Sequence, residues 1–381
     1  MSTMTSPQLD HPTLTAATDI ATLAGALADH PPDRDELPEQ VVQASRTAGL
    51  YRLCLPSELG GLATPLPLTV SIIERLSTAD GSTGWCTAVA NAGASLLSGV
   101  DESEARVIAA DPENLLIAGG FPPIGRARRV GDTYELSGRW PFASGAVAAN
   151  WFLGGILITP DDGSAPTARV AFFPAHQARI IRNWDVIGLR ATGSHDVSAD
   201  KITVPALRST TLFGGPRWSN DPIAAIPFFS LGSMLAAVPL GIAKRALDEL
   251  ALLAATKVPF GQQHPLAHDP VFQDRTAAML TRLGAARAYL LERTDILWQH
   301  ALTGSVPPEV QAQTALAVSE AVDAALEIVT FTHRCGGTTT IRNPHILTRC
   351  LHDVFAASRH AAFQPTARRT AARTFLGLPP E

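Results

Sequence analysis

The stretch Gly138-Arg-Trp-Pro-Phe-Ala-Ser-Gly145 carries the side chains best suited to hold a ligand. Trp140 and Phe142 offer two large rings, and Pro141 stiffens the chain between them. Ser144 adds a small hydroxyl, and Gly145 lets backbone and ligand come close. Two rings followed by a hydroxyl and a glycine make a floor for a flat heterocycle. The same residues also make an ordinary sheet corner, and this stretch alone leaves both readings open. Other chemistries leave clearer marks, which are missing here. No GxGxxG follows a strand-like run, so NAD(P)H binding is not expected. No nucleophile elbow supports a Ser-His-Asp hydrolase. Cys54, Cys86, Cys335 and Cys350 lie far apart without metal-ligand spacing, and no metal site is expected. They read as reduced, mostly buried thiols of a cytoplasmic protein.

The elements that position these residues follow from composition and pattern. The chain has 381 residues, 46% hydrophobic and 17% charged, with a formal net charge of −5. It has ample material for a core, and nothing favours nucleic acid or a membrane surface as partner. Residues 1–13 read as a leader without a basic region and apolar core, so no signal peptide is expected. Helical patterning covers 14–28, 38–48 and 66–79, and Asp80-Gly-Ser-Thr-Gly-Trp85 breaks the third helix and starts another. From Leu115 to about Phe213 the chain turns to alternating Val/Ile/Phe runs separated by Gly, Pro and Asp, which predicts an antiparallel β-domain. Within it, Tyr134 and Leu136 belong to one strand, Gly138 breaks it, and a second short strand follows. From Phe228 onward, long apolar or amphipathic helices at 231–255, 269–302, 307–333 and 345–374 predict a four-helix bundle. The expected division is 1–113 helical, 114–225 β and 226–381 helical bundle.

That order, together with four motifs, resembles the acyl-CoA dehydrogenase superfamily, and within it the two-component flavin-dependent monooxygenases. The motifs are Asp80–Trp85, Gly138–Gly145, Trp184-Asp-Val-Ile-Gly-Leu-Arg-Ala-Thr-Gly-Ser-His-Asp196 and Leu347–His360. The resemblance spans residues 14–380. It implies a monooxygenase that takes reduced flavin, FMNH2 or FADH2, from a separate reductase. With O2 this forms a C4a-(hydro)peroxyflavin that oxygenates a small aromatic, polyketide-like or amino-bearing compound. It also implies a homotetramer.

The resemblance assigns roles residue by residue. Ser144 matches the serine beside flavin N5, where a hydroxyl donor and a dry pocket keep the oxygen adduct from losing peroxide. His360, expected on the last long helix, matches a histidine facing flavin and substrate, able to act as base or as donor. Trp85, Trp140, Phe142, Trp184, Thr192 and Ser194 would shape the flavin pocket. Arg190 would serve the turn or an acidic partner, and His352-Asp353 reads as structural, at a subunit contact. Lys257 stands where the dehydrogenases carry an arginine on the flavin pyrophosphate, and supplies charge without the bidentate fork. Gly336-Gly337 would lie against flavin from a neighbouring subunit. A true acyl-CoA dehydrogenase needs a carboxylate base; Thr338–Asn343 has none, and Glu249 is the one alternative position. A silent helical scaffold is the third reading, disfavoured by Ser144, Trp184 and His360 occurring together.

Overall fold

The computed structural model describes residues 11–28, 35–160, 164–212 and 214–378. Most of the expected leader, 1–10, lies outside them. Among the described residues, five α-helices come first: α1 (Pro12–Ala28), α2 (Glu39–Thr47), α3 (Leu66–Ala79), α4 (Gly81–Ser95) and α5 (Glu102–Ile108). The α3–α4 break follows from its residues. Asp80 caps α4, accepting hydrogen bonds from Thr83 N at 2.9 Å and Thr83 Oγ1 at 2.6 Å, an arrangement typically worth ~1 kcal/mol.

Seven strands form one sheet: β1 (Ile117–Val130), β2 (Thr133–Ala143), β3 (Trp151–Ile158), β4 (Thr167–Pro174), β5 (Arg179–Ile181), β6 (His195–Pro205) and β7 (Ser209–Thr210). Their order is β5-β6-β2-β1-β3-β4-β7. The sheet is mixed, and this corrects the antiparallel expectation. β1 and β2 form a hairpin over Gly131-Asp132, with Gly131 at φ 60°, the left-handed geometry a two-residue turn requires. The chain then passes from β2 to the far side of β1, so β3 lies parallel to β1, with Ile117 opposite Trp151. The break expected at Gly138 is a register shift inside one continuous β2, and a second shift follows between Trp140 and Ala143.

After α6 (Pro222–Ala225) the helices return as α7 (Gly232–Thr256), α8 (Pro270–Leu302), α9 (Pro308–Gly336), α10 (Ile346–Ala357) and α11 (Pro365–Phe375). α7 is buried over most of its first four turns and packs against α3 and α9. The expected final helix is two helices, α10 and α11, separated by residues 358–364. One apolar core joins the first helices to the bundle, with Ile72, Ile73 and Leu76 of α3 in the same cluster as Met234, Leu240 and Ile242 of α7. A separate core lies within the sheet around Trp140, Phe152 and Phe173.

Candidate functional site

Three segments meet at Trp85: the start of α4, the turn after β2, and the break between α10 and α11. Trp85 is buried on the first turns of α4. Its indole Nε1 donates to Ser144 Oγ at 3.1 Å. Its ring meets the His360 imidazole edge-on, with centroids 5.4 Å apart and planes at 79°. Ser144 and His360, some two hundred residues apart in the chain, thus touch the same indole.

Behind Ser144 runs a chain of buried hydroxyls. Ser144 Oγ lies 2.7 Å from Ser194 Oγ, and Ser194 Oγ lies 2.6 Å from Thr192 Oγ1. Thr192 Oγ1 donates to Leu189 O at 2.7 Å. The backbone follows the same route, since Gly145 N donates to Thr192 O at 2.7 Å. The turn that carries Thr192 is held in an uncommon shape. Leu189 has φ 51°, a left-handed conformation costly for a branched side chain. What holds it is Asp353 on α10, whose Oδ1 accepts from Leu189 N at 2.6 Å. Burial pushes the Asp353 carboxyl up from 3.8 to about 6. Gly188 permits the contact, because a Cβ there would stand 2.1 Å from His352 O.

The His360 ring is oriented by its own backbone. Nδ1 accepts from Ala362 N at 3.2 Å, capping the short 3-10 turn 361–363. An accepting Nδ1 leaves the proton of neutral imidazole on Nε2. Burial lowers the His360 pKa, so the ring is neutral at neutral pH and offers an Nε2–H. Of the two roles expected for His360, this arrangement supports donor rather than base.

Two residues before Ser144, Phe142 stands 68% exposed at φ 62°. It meets Trp184 edge-on at 6.1 Å, and Trp184 Nε1 donates to Leu189 O at 3.4 Å. An exposed ring in a strained backbone, beside an indole and next to a buried hydroxyl, makes an apolar wall with one polar edge. These residues fit a flavin ring.

Comparison with known proteins agrees with this geometry. Residues 233–365 match the family described as "Acyl-CoA dehydrogenase, C-terminal domain". The chain is 32% identical to an indole-3-acetate monooxygenase of Pseudomonas putida, over 89% of this chain and 87% of that one. The chain belongs to the flavin-dependent monooxygenases of the acyl-CoA dehydrogenase superfamily. It is also 27% identical to the oxygenase component of an FADH(2)-dependent resorcinol hydroxylase of Rhizobium sp., over 95% of this chain and 93% of that one. The crystal structure of a 3-HSA hydroxylase from Rhodococcus sp. RHA1 shares the fold, with a TM-score of 0.89 at 22% identity, covering 97% of this chain and 98% of that one.

Within this monooxygenase, several expected site residues sit elsewhere. Trp140 is wholly buried in the sheet core, where its Nε1 donates to Gly155 O at 2.8 Å and its ring packs on Phe173 at 5.5 Å. It is not part of the wall. Strict alternation would put Trp140 and Phe142 on one face. The register shift and the left-handed Phe142 reverse the parity, sending Trp140 inward and Phe142 outward. His360 is not on a helix but in the break between α10 and α11. The Lys257 ammonium is engaged with Gly336 O and, at 2.9 Å, with Thr339 Oγ1, so it caps the C-terminus of α9. Lys257, Gly336 and Gly337 therefore form one unit, and no contact joins them to Ser144 among the described residues. Glu249 is paired with Arg245 at 2.7 Å, one turn away on α7. Arg190 serves the turn, donating to Val186 O at 3.0 Å. The structural reading of Asp353 agrees with its contact to Leu189, but no sequence signal pointed to Leu189 as the partner.

Proposed function

We propose that this chain is the oxygenase component of a two-component system that hydroxylates a small aromatic compound, with reduced flavin supplied by a separate reductase. The convergence of Ser144 and His360 on Trp85 carries this reading, because it brings a hydroxyl and a neutral imidazole into contact with one buried indole. Reduced flavin supplies two electrons to O2; one oxygen atom enters the substrate and the other leaves as water. The residues of the chain do the rest. Phe142 and Trp184 would hold the flavin ring, and Ser144 would supply the polar contact at its edge. Trp85 and the buried hydroxyls behind it keep water away, which slows wasteful release of peroxide. His360 donates its Nε2–H to the oxygen being transferred. An aromatic substrate is supported by the aromatic compounds named for the relatives from Pseudomonas and Rhizobium. Leu252, Phe260 and Ile341, each within five residues of Lys257 or Gly336 in the chain, stand exposed. Apolar surface of that kind fits coverage by further copies of the chain, here a homotetramer. No helix among the described residues is long and apolar enough to cross a membrane. The four cysteines are free thiols, as suits the cytoplasm.

The test supplies reduced FMN and 18O2 to the enzyme with a panel of phenols and indoles. A product carrying one 18O atom per flavin oxidised is the expected result. Ser144→Ala should raise the share of flavin electrons that ends in free peroxide, about tenfold or more if the contact acts as a transition-state donor or acceptor. An unchanged share removes Ser144 from the mechanism. Reduction of added flavin by an acyl-CoA, with no oxygenated product, would overturn the whole reading in favour of a dehydrogenase.

A further inference from the structure

We propose that Ser194 is a positioning residue that fixes the direction of the Ser144 O–H, so that Ser144 accepts a hydrogen bond from flavin N5–H and cannot donate one to it. The proposal rests on the flavin reading above. It follows from counting protons along the buried chain. Leu189 O has no proton, so Thr192 donates the 2.7 Å contact between them. A threonine hydroxyl has one proton to give. The 2.6 Å contact between Thr192 and Ser194 is therefore donated by Ser194. That uses the one proton of Ser194, so the 2.7 Å contact between Ser194 and Ser144 is donated by Ser144. Ser144 has then given its proton away, and one of its two lone pairs takes the Trp85 indole N–H. A single lone pair remains.

Burial makes this order binding. Trp85, Ser144, Ser194 and Thr192 are between 1% and 6% exposed, so water does not offer the hydroxyls an alternative acceptor. The chain is also a poor proton relay. It ends on the amide carbonyl of Leu189, which cannot take up a proton and pass it on. Its effect is static: it sets what Ser144 can accept.

The two redox states of a flavin differ at the atom concerned. Reduced flavin carries N5–H, a donor. Oxidised flavin carries a bare N5 lone pair, an acceptor. A Ser144 that can only accept matches the first and faces the second lone pair to lone pair. The hydroxyl chain thus favours the reduced form on arrival and disfavours the spent form. The expectation that Ser144 acts as a hydroxyl donor is reversed.

The experiment measures equilibrium affinity for FMN in both redox states, the reduced form titrated anaerobically. It uses wild type, Ser194→Ala, Thr192→Val and Ser144→Ala, each checked for native fold by circular dichroism. In Ser194→Ala the Ser144 proton is released and can turn to N5. The preference for reduced over oxidised FMN should fall roughly threefold to tenfold, the worth of one hydrogen bond. Thr192→Val should shift the preference the same way, because Ser194 then turns its proton to Ser144. Adding Ser194→Ala to Ser144→Ala should leave the preference of Ser144→Ala unchanged. An unaltered preference in Ser194→Ala, or equal loss of both affinities, overturns the proposal and leaves the flavin reading standing. A folded wild type that binds neither form overturns both.

Discussion

Asp353→Asn should stabilise this protein at pH 8 and leave it little changed near pH 4. Asp353 is buried on α10, and its carboxyl titrates at about 6 instead of 3.8. The first cause is burial, which penalises the charged form; the hydrogen bond from Leu189 opposes it only in part. Between about pH 4 and pH 6 the folded chain holds a proton that the unfolded chain has released, so stability falls as pH rises through that window. Above about pH 6 the full penalty is present. The displacement is roughly two pH units, which corresponds to ~3 kcal/mol. Asparagine keeps an Oδ1 to accept from Leu189 N and carries no charge. For 381 residues the unfolding entropy is on the order of 0.8 kcal/mol/K, so ~3 kcal/mol becomes a rise in Tm of about 4 °C. The assay is Tm by calorimetry at half-unit steps from pH 4 to 8, for wild type and variant. The gap between the two curves should open across about pH 4–6 and stay open above. If Asp353→Asn instead melts lower at pH 8, and the deficit shrinks toward pH 5, then the negative charge itself holds the Leu189 turn and the burial argument fails.

Four further outcomes follow from the same geometry. His360→Ala should lower product formation by about a hundredfold or more while changing flavin affinity only a few-fold; equal loss of both would make His360 structural. Because burial lowers the His360 pKa, the rate of product formation in wild type should show no acid limb at 6.5, and any limb from this group should appear at lower pH. Trp140→Ala should destabilise the fold by about 3–5 kcal/mol, the usual range for a large core aromatic, without altering flavin affinity in the folded fraction at low temperature. A selective loss of flavin binding there would return Trp140 to the wall. Gly188→Ala should separate the turn from α10, since its Cβ would meet His352 O at 2.1 Å; faster hydrogen exchange at the Leu189 amide is the measure, and native protection would refute the contact.

The parts of this molecule that were legible in the sequence are those set by local pattern. Asp80 followed by Gly-Ser-Thr announces a helix start, and the long apolar runs after Phe228 announce a bundle. The motifs around Ser144, Thr192 and Ser194 announced hydroxyls that do come together. What escaped was set by backbone geometry and long-range contact. Trp140 and Phe142 look equivalent by spacing, and only the left-handed backbone at Phe142 separates them. The parallel pairing of β1 with β3 depends on which side of β1 the chain takes after Gly145, and no residue type encodes that. The break at His360 lies in Ser358–Gln364, a run that reads as helical until His360 Nδ1 takes the Ala362 amide. Asp353 lies more than 150 residues from Leu189, so neither position announces the other.

One residue is held through both of its backbone polar groups, and this limits how such a chain can change its length. Leu189 gives its N–H to a bundle helix and its C=O to a hydroxyl and an indole from its own turn. Adding or removing a residue between Gly188 and Ser194 would break one grip to satisfy the other. The hairpin tip at Gly131 faces no such limit, since nothing lies within 4 Å of a side chain placed there. Insertions and deletions in chains built this way should collect at tips like Gly131. The span from Gly188 to Ser194 should behave as a ruler, keeping its count while its letters vary.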